Sequence, residues 1–165
     1  MTECGPALHS GTMMPVILRA LYQVRLAYRR YARPLTLGVR CFVVRDDGHV
    51  LLVRHTYMPG WYLPGGGVDK GESIEAAVAR ELYEEVGVVP LERPKLFHTY
   101  SNFREHKSDH IVLFSLKSFN IAPNPNAEIA EHAFFDPVSP PSETTEATKR
   151  RLAEWRGLES PGALW

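Results

Sequence analysis

Glu81, Glu84 and Glu85 lie within five residues of one another, just ahead of Gly87. Carboxylates of this kind hold hard divalent cations, and a cation so held serves phosphate chemistry. On a helix turning about 100° per residue, the three fall within an arc of roughly 100°. Ile74, Val78, Leu82 and Val86 form an apolar arc that adjoins and partly overlaps it, so the carboxylates border the buried face. The arrangement is costly. Glu81 and Glu85 are a like-charge i, i+4 pair, worth about 0.2–0.5 kcal/mol of destabilisation. The helix macrodipole disfavours each anion at this end by roughly 0.3–1 kcal/mol. Arg80 can offset one of them, as the i+4 partner of Glu84, and no other cation on the helix is in reach. A divalent cation removes the conflict, and three hard oxygens suit Mg2+, or Mn2+ in its place, with waters and a substrate phosphate completing an octahedron. A solvated acidic helix end is the other reading that these residues alone leave open.

The residues upstream shift that balance. Gly65, Gly66 and Gly67 stand shortly before the helix, where backbone amides with no Cβ in the way can approach a phosphate. A glycine run by itself marks a turn. Glycine loop, helix and terminal carboxylates together make a site for phosphate and metal.

These groups need a framework, and the pattern supplies one. A helix is expected over Ser73–Val86, starting after a Ser73 cap and stopping at Gly87. Strands are expected at 35–45 and 50–54, joined through Asp46-Asp47-Gly48 as a hairpin. Trp61-Tyr62-Leu63 reads as a short strand running into Pro64. Further strands are expected at 95–100, 110–119 and 132–136, with a polar segment at 101–109. After Pro137, Pro140 and Pro141, Ser142 is placed to cap a last helix that runs to about Trp155.

At 165 residues, 44% hydrophobic and 23% charged, the chain has the make-up of one soluble globular domain. Nineteen basic residues balance nineteen acidic ones, so no nucleic-acid partner is expected on electrostatic grounds. Cys4 and Cys41 form no CxxC pair, which fits a reducing cytoplasm better than a disulfide framework or a zinc knuckle.

Gly66, Glu72, Arg80, Glu81, Leu82, Glu84, Glu85, Gly87 and Val88 match the pattern G-x5-E-x7-R-E-U-x-E-E-x-G-U without departure. Nine fixed positions over 23 residues are a specific signal, and by them the chain resembles the Nudix (MutT-like) hydrolases over roughly residues 36–156. The resemblance implies a mixed α/β (α+β) fold, an α/β/α sandwich around a mixed β-sheet. It implies hydrolysis of a nucleoside diphosphate linked to another moiety, a small-molecule substrate, with Mg2+ on Glu81, Glu84 and Glu85. It implies that Glu72 and Arg80 support those ligands, with Arg80 tied to the carboxylates. The base that takes the proton from water varies across the family. Here the candidates are Glu81 or Glu85 and, in the loop 123–131, Glu128. A Nudix module that binds a nucleotide or a partner without turnover is the alternative.

Residues that would meet the rest of the substrate are less marked. Phe97, Tyr100 and Phe103 can stack on a base, although aromatic residues in strands are more often core. Arg104, His106 and Lys107 can meet phosphates, and His55 and Tyr57 are near enough in sequence to line a pocket. His106 and His110 share i, i+4 spacing but sit in no apparent helix, so no histidine metal site is expected.

Ahead of this unit, residues 1–33 read as a loose tail and an amphipathic helix from Pro15 to Tyr31, ended by Pro34. Ile17, Leu21, Val24, Tyr28 and Tyr31 form its apolar stripe, expected to pack on the domain or on a second copy in a homodimer. Its arginines leave contact with an anionic membrane surface as a further option. The enzyme domain is expected over 34–158, with a tail at 159–165.

Overall fold

Alternation along the strand Thr36–Val43 (β1) sets the layering. Val39, Cys41 and Val43 pack to one side against Ala77, Val78, Leu82 and Val86. Phe42 and Val44 pack to the other, against Leu152. The strand Val50–His55 (β2) divides in the same way, Leu51 and Val53 to the first core, Val50 and Leu52 to the second. A sheet buried on both faces requires a helix on each, and the chain supplies them as α2, Ile74–Val86, and α3, Glu146–Trp155. The computed structural model describes residues 13–32, 35–103, 109–124 and 126–165. Its elements in chain order are α1 (Met13–Ala32), β1, β2, α2, β3 (Val88–Pro90), β4 (Lys95–Asn102), β5 (Asp109–Leu116), β6 (Phe119–Ile121), β7 (Ile129–Phe135) and α3. The main sheet is mixed as expected, in the order β1-β5-β4, with β1 parallel and β4 antiparallel to β5. Two-stranded ladders join β2 to β7 and β3 to β6.

The expected hairpin is only a turn. Arg45 N donates to His49 O, and a single bridge joins Val44 to Val50. Beyond it the strands part, because β1 pairs with β5 whereas β2 pairs with β7 and, through Val53, with Tyr62. The expected strand 110–119 divides into β5 and β6, and β3 with β6 forms a small ladder that pattern reading did not separate. The cap of α3 is Thr145, not Ser142, because Thr144 N first closes a turn onto Pro141 O. Ser101 and Asn102 belong to β4 and Asp109 to β5, so the polar segment is shorter than expected. Arg104, His106, Lys107 and Pro34 lie outside the described residues.

That the stripe of α1 packs on its own domain is corrected. Leu21, Val24 and Tyr28 are exposed, and the side chains of Ile17 and Tyr31 lie outside the described set. The face turned inward carries the half-buried Leu18 and Tyr22, spaced i, i+4, with the Tyr22 ring 4.8 Å from that of Tyr57, and the exposed Arg25 borders both hollows of the site. Among the described residues no helix is long and apolar enough to cross a membrane.

Candidate active site

The helix α2 is fixed at both ends. Ser73 accepts from Ala76 N at 3.1 Å, and Gly87 in a left-handed conformation closes the other end through its N–H to Tyr83 O. The terminal carbonyls also receive side chains: Asn124 Nδ2 donates to Tyr83 O at 2.6 Å, and Asn126 Nδ2 donates to Glu84 O. Asn126 Oδ1 in turn accepts from Glu128 N at 2.6 Å, and Glu128 O accepts from Thr56 N at 2.9 Å. The loop bearing Glu128 is thereby pinned beside the end of α2 that bears the glutamates.

The glycine loop is laid along β1. Val39 N donates to Gly66 O, Cys41 N to Pro64 O and Val68 N to Leu37 O, at 2.9–3.0 Å. Two links tie it to α2: Gly65 N donates to Glu85 Oε2 at 2.8 Å, and Gly67 O accepts from Arg80 Nη2 at 3.0 Å. At Gly66 the approach is so close that a Cβ would fall on the Glu81 carboxylate. Gly66→Ala is therefore expected to displace Glu81 and cut turnover by about a hundredfold, the scale of a 1 Å misplacement. Product-release assays beside circular-dichroism melts check this, and unchanged turnover would show the Glu81 position to be immaterial.

Arg80 is the hub. Its Nε and Nη2 grip both oxygens of Glu72 at 2.9 Å, and Nη1 reaches Glu81 Oε1 at 2.9 Å and Glu84 Oε2 at 3.1 Å. The i, i+4 partnership with Glu84 is thus present, and so is the tie between Arg80 and the other carboxylates.

Burial dominates the electrostatics. Glu85 is 8% exposed, and desolvation pushes its carboxyl up to about 8, helped by Glu81 and Glu128 and opposed by Arg40 and the Gly65 N–H. Glu81 is also raised by burial, against the pull of Arg80. His55 stands 4.0 Å from Glu85 through Nε2, but burial, and then Arg40, push the imidazole down to about 4, so at neutral pH it is uncharged. The Tyr57 phenol is pushed up to about 12, by burial first and then by Glu128 and Glu85.

Glu81, Glu85 and Glu128 line a cavity of about 350 Å³ together with Gly65, Gly66, Gly67, Arg40, His55 and Tyr57. The same three glutamates border an outer hollow with Arg80 and Glu84. The structure therefore brings together Glu72, Arg80, Glu81, Glu84, Glu85, Glu128 and the glycines. Phe97 and Tyr100 belong to the core around Phe42 and Trp155, not to a base site, and Phe103 is exposed. Arg40, Asn124 and Asn126 were missed. A lone arginine inside the apolar run 38–44 was the available signal for the first. Asparagines after a helix end, able to reach its orphan carbonyls, were the signal for the others.

Among the described residues, no three acidic, histidine or cysteine groups are drawn tightly enough to enclose an ion, and Glu84 is paired with Arg80. The donors nevertheless fit a hard cation. They are carboxylate oxygens on one cavity, and burial raises the Glu85 carboxyl, a cost that a cation beside it would offset.

Comparison with known proteins agrees with this architecture. An RNA pyrophosphohydrolase of Shewanella piezotolerans is 46% identical over 53 residues, 32% of this chain and 31% of that protein. A MutT-like protein of Streptomyces ambofaciens is 39% identical over 67 residues, 41% of this chain and 43% of that one. The chain spans about a third of the length of the first curated relatives it matches. Among solved structures, a MutT NUDIX hydrolase from Burkholderia pseudomallei superposes with a TM-score of 0.63 at 29% identity, over 72% of this chain and 95% of that one. The MutT protein from Methanosarcina mazei shares the fold, with a TM-score of 0.64 at 22% identity over 79% and 99% of the two chains. The family profile described as the NUDIX domain matches residues 34–156, from the approach to β1 to the end of α3, and on that match the chain belongs to the NUDIX family.

Proposed function

We propose that the protein is a Mg2+-dependent pyrophosphohydrolase that cleaves the diphosphate of a nucleoside diphosphate linked to another moiety. The observation that carries this reading is the convergence of Glu81, Glu85 and Glu128 on one cavity beside the glycine loop. Glu81, Glu84 and Glu85 would hold the cation, with Mn2+ as a substitute. When bound, the ion offsets the negative diphosphate and lowers the pKa of a water.

The chain's own groups do the remaining work. Arg80 and Glu72 clamp the loop to α2, so that the carboxylates and the loop amides keep their spacing. Gly65 and Gly66, where a Cβ would meet Val39 O and the Glu81 carboxylate, let the loop lie close on β1 and α2 at the cavity that would receive the diphosphate. Glu128 is the proposed base. It lines the cavity, and its carboxylate makes no hydrogen bond among the described residues, so it is open to accept a proton as water attacks phosphorus. His55 is buried and Tyr57 half-buried, and both are uncharged at neutral pH, so neither adds charge to that side of the cavity.

The test is product release from a panel of nucleoside diphosphate derivatives with Mg2+, including an RNA with a 5′ triphosphate because several relatives are named RNA pyrophosphohydrolase. Glu84→Gln and Glu128→Gln are expected to slow turnover by about 10²–10⁴-fold, the range for losing a base or a metal donor. Wild-type rates in both variants would discard the assignment. Nucleotide binding with Mg2+ but no turnover over hours would favour a silent binding module.

A further inference from the structure

Arg40 lines the candidate cavity and is half-buried there, yet it is scarcely used by the protein itself. Val39 and Cys41, its neighbours on β1, are buried in the core against α2, so strand alternation keeps Arg40 out of that core, and it lines the cavity with Glu81 and Glu85. Its guanidinium has five N–H donors. Among the described residues it makes one hydrogen bond, Nη1 to Val39 O at 3.2 Å, and enters no ion pair. Its charge is nevertheless felt across the site, drawing the carboxyls of Glu81 and Glu85 downward against burial.

That placement is a contradiction on its own terms. A fixed positive charge beside Glu81 and Glu85 repels the cation that the same carboxylates are proposed to hold. The repulsion becomes attraction if an anion lies between the two positive charges. A guanidinium fork matches two phosphate oxygens in geometry, and at partial burial such charge-assisted bonds are strong.

We propose that Arg40 binds the substrate's diphosphate from the side facing the glutamates, so that the phosphates lie between Arg40 and the pair Glu81–Glu85. The assignment rests on the hydrolase reading for what the phosphate belongs to. It makes Arg40 the residue through which the chain selects anionic substrates.

The alternative role is plain charge balance for the buried carboxylates, and the two roles differ in what happens to anion binding. Arg40→Met and Arg40→Lys are compared with wild type in three measurements. These are KM against kcat, binding of inorganic pyrophosphate without added metal by calorimetry, and Mn2+ affinity by electron paramagnetic resonance without nucleotide. The expected result for Arg40→Met is a rise in KM and a weakening of pyrophosphate binding, each by about ten- to a hundredfold. Mn2+ should bind at least as tightly, because a repelling charge has gone. Arg40→Lys should recover part of the anion binding. Unchanged KM and pyrophosphate affinity, with Mn2+ affinity raised, would overturn the proposal and leave Arg40 as a counter-charge. If the wild type binds pyrophosphate through Arg40 but hydrolyses nothing in the panel, the anion site stands and the hydrolase reading falls.

Discussion

Glu85→Gln is expected to lower turnover by about 10²–10⁴-fold while making the metal-free protein more stable above pH 8. The two effects have one origin. Glu85 is buried against Gly65 N, and its folded carboxyl is raised to about 8 from an ordinary 4.5. A raised folded value means that the native state binds the proton more tightly than the unfolded chain does. The stability so gained is full below about 4.5 and is lost as pH rises through 8. Glutamine keeps the shape and can still accept from Gly65 N, but it has no proton to lose. Melting curves of metal-free protein between pH 5 and 9 should therefore fall with pH for the wild type and stay nearly level for the variant. Added Mg2+ should restore the wild type most at high pH, where the carboxylate is free to bind it, and do little for the variant. A variant destabilised at every pH would mean that Glu85 is a packing group and not an ion ligand.

Arg80→Ala is expected to have the largest effect on stability, and in the opposite sense. Five hydrogen bonds run from this guanidinium, to Glu72, Glu81, Glu84 and Gly67 O. Its removal leaves Glu72 and Glu81, 16% and 14% exposed at the side chain, without their cation. Breaking a fully buried pair costs about 3–5 kcal/mol, and since Arg80 is 28% exposed a loss of roughly 2–4 kcal/mol is expected. Urea denaturation measures it. Turnover should fall by about 10–100-fold, because the loop is no longer clamped to the helix. Arg80→Lys should lie between the two, as one ammonium cannot span Glu72 and Gly67 O together. A lysine variant equal to wild type in both assays would show that only charge matters at this position.

Much of the site was legible because it is local. The segment 66–88 carries the loop, the cap, the helix and the carboxylates in one stretch, and helical spacing places the glutamates relative to one another before any tertiary contact is known. The two-sided burial of β1 and β2 follows from their apolar runs in the same way. What pattern reading missed depends on distant pairing. Nothing near residues 44–50 shows that β2 will leave β1 for β7, some 80 positions along the chain. The inward face of α1 was misjudged for a related reason. Its most apolar stripe includes Leu21, Val24 and Tyr28, yet an aromatic contact with Tyr57 turns Tyr22 inward instead. Arg40 became meaningful only once β1, the glycine loop and α2 stood around one cavity.

Anomalous diffraction at the manganese edge, from crystals soaked with Mn2+ and a slowly hydrolysed nucleotide, tests the central claim most directly. The account predicts a peak about 2–2.3 Å from carboxylate oxygens of Glu81 and Glu85, with Glu84 drawn from Arg80 toward it. Nucleotide bound in the cavity with no metal at those oxygens would contradict it.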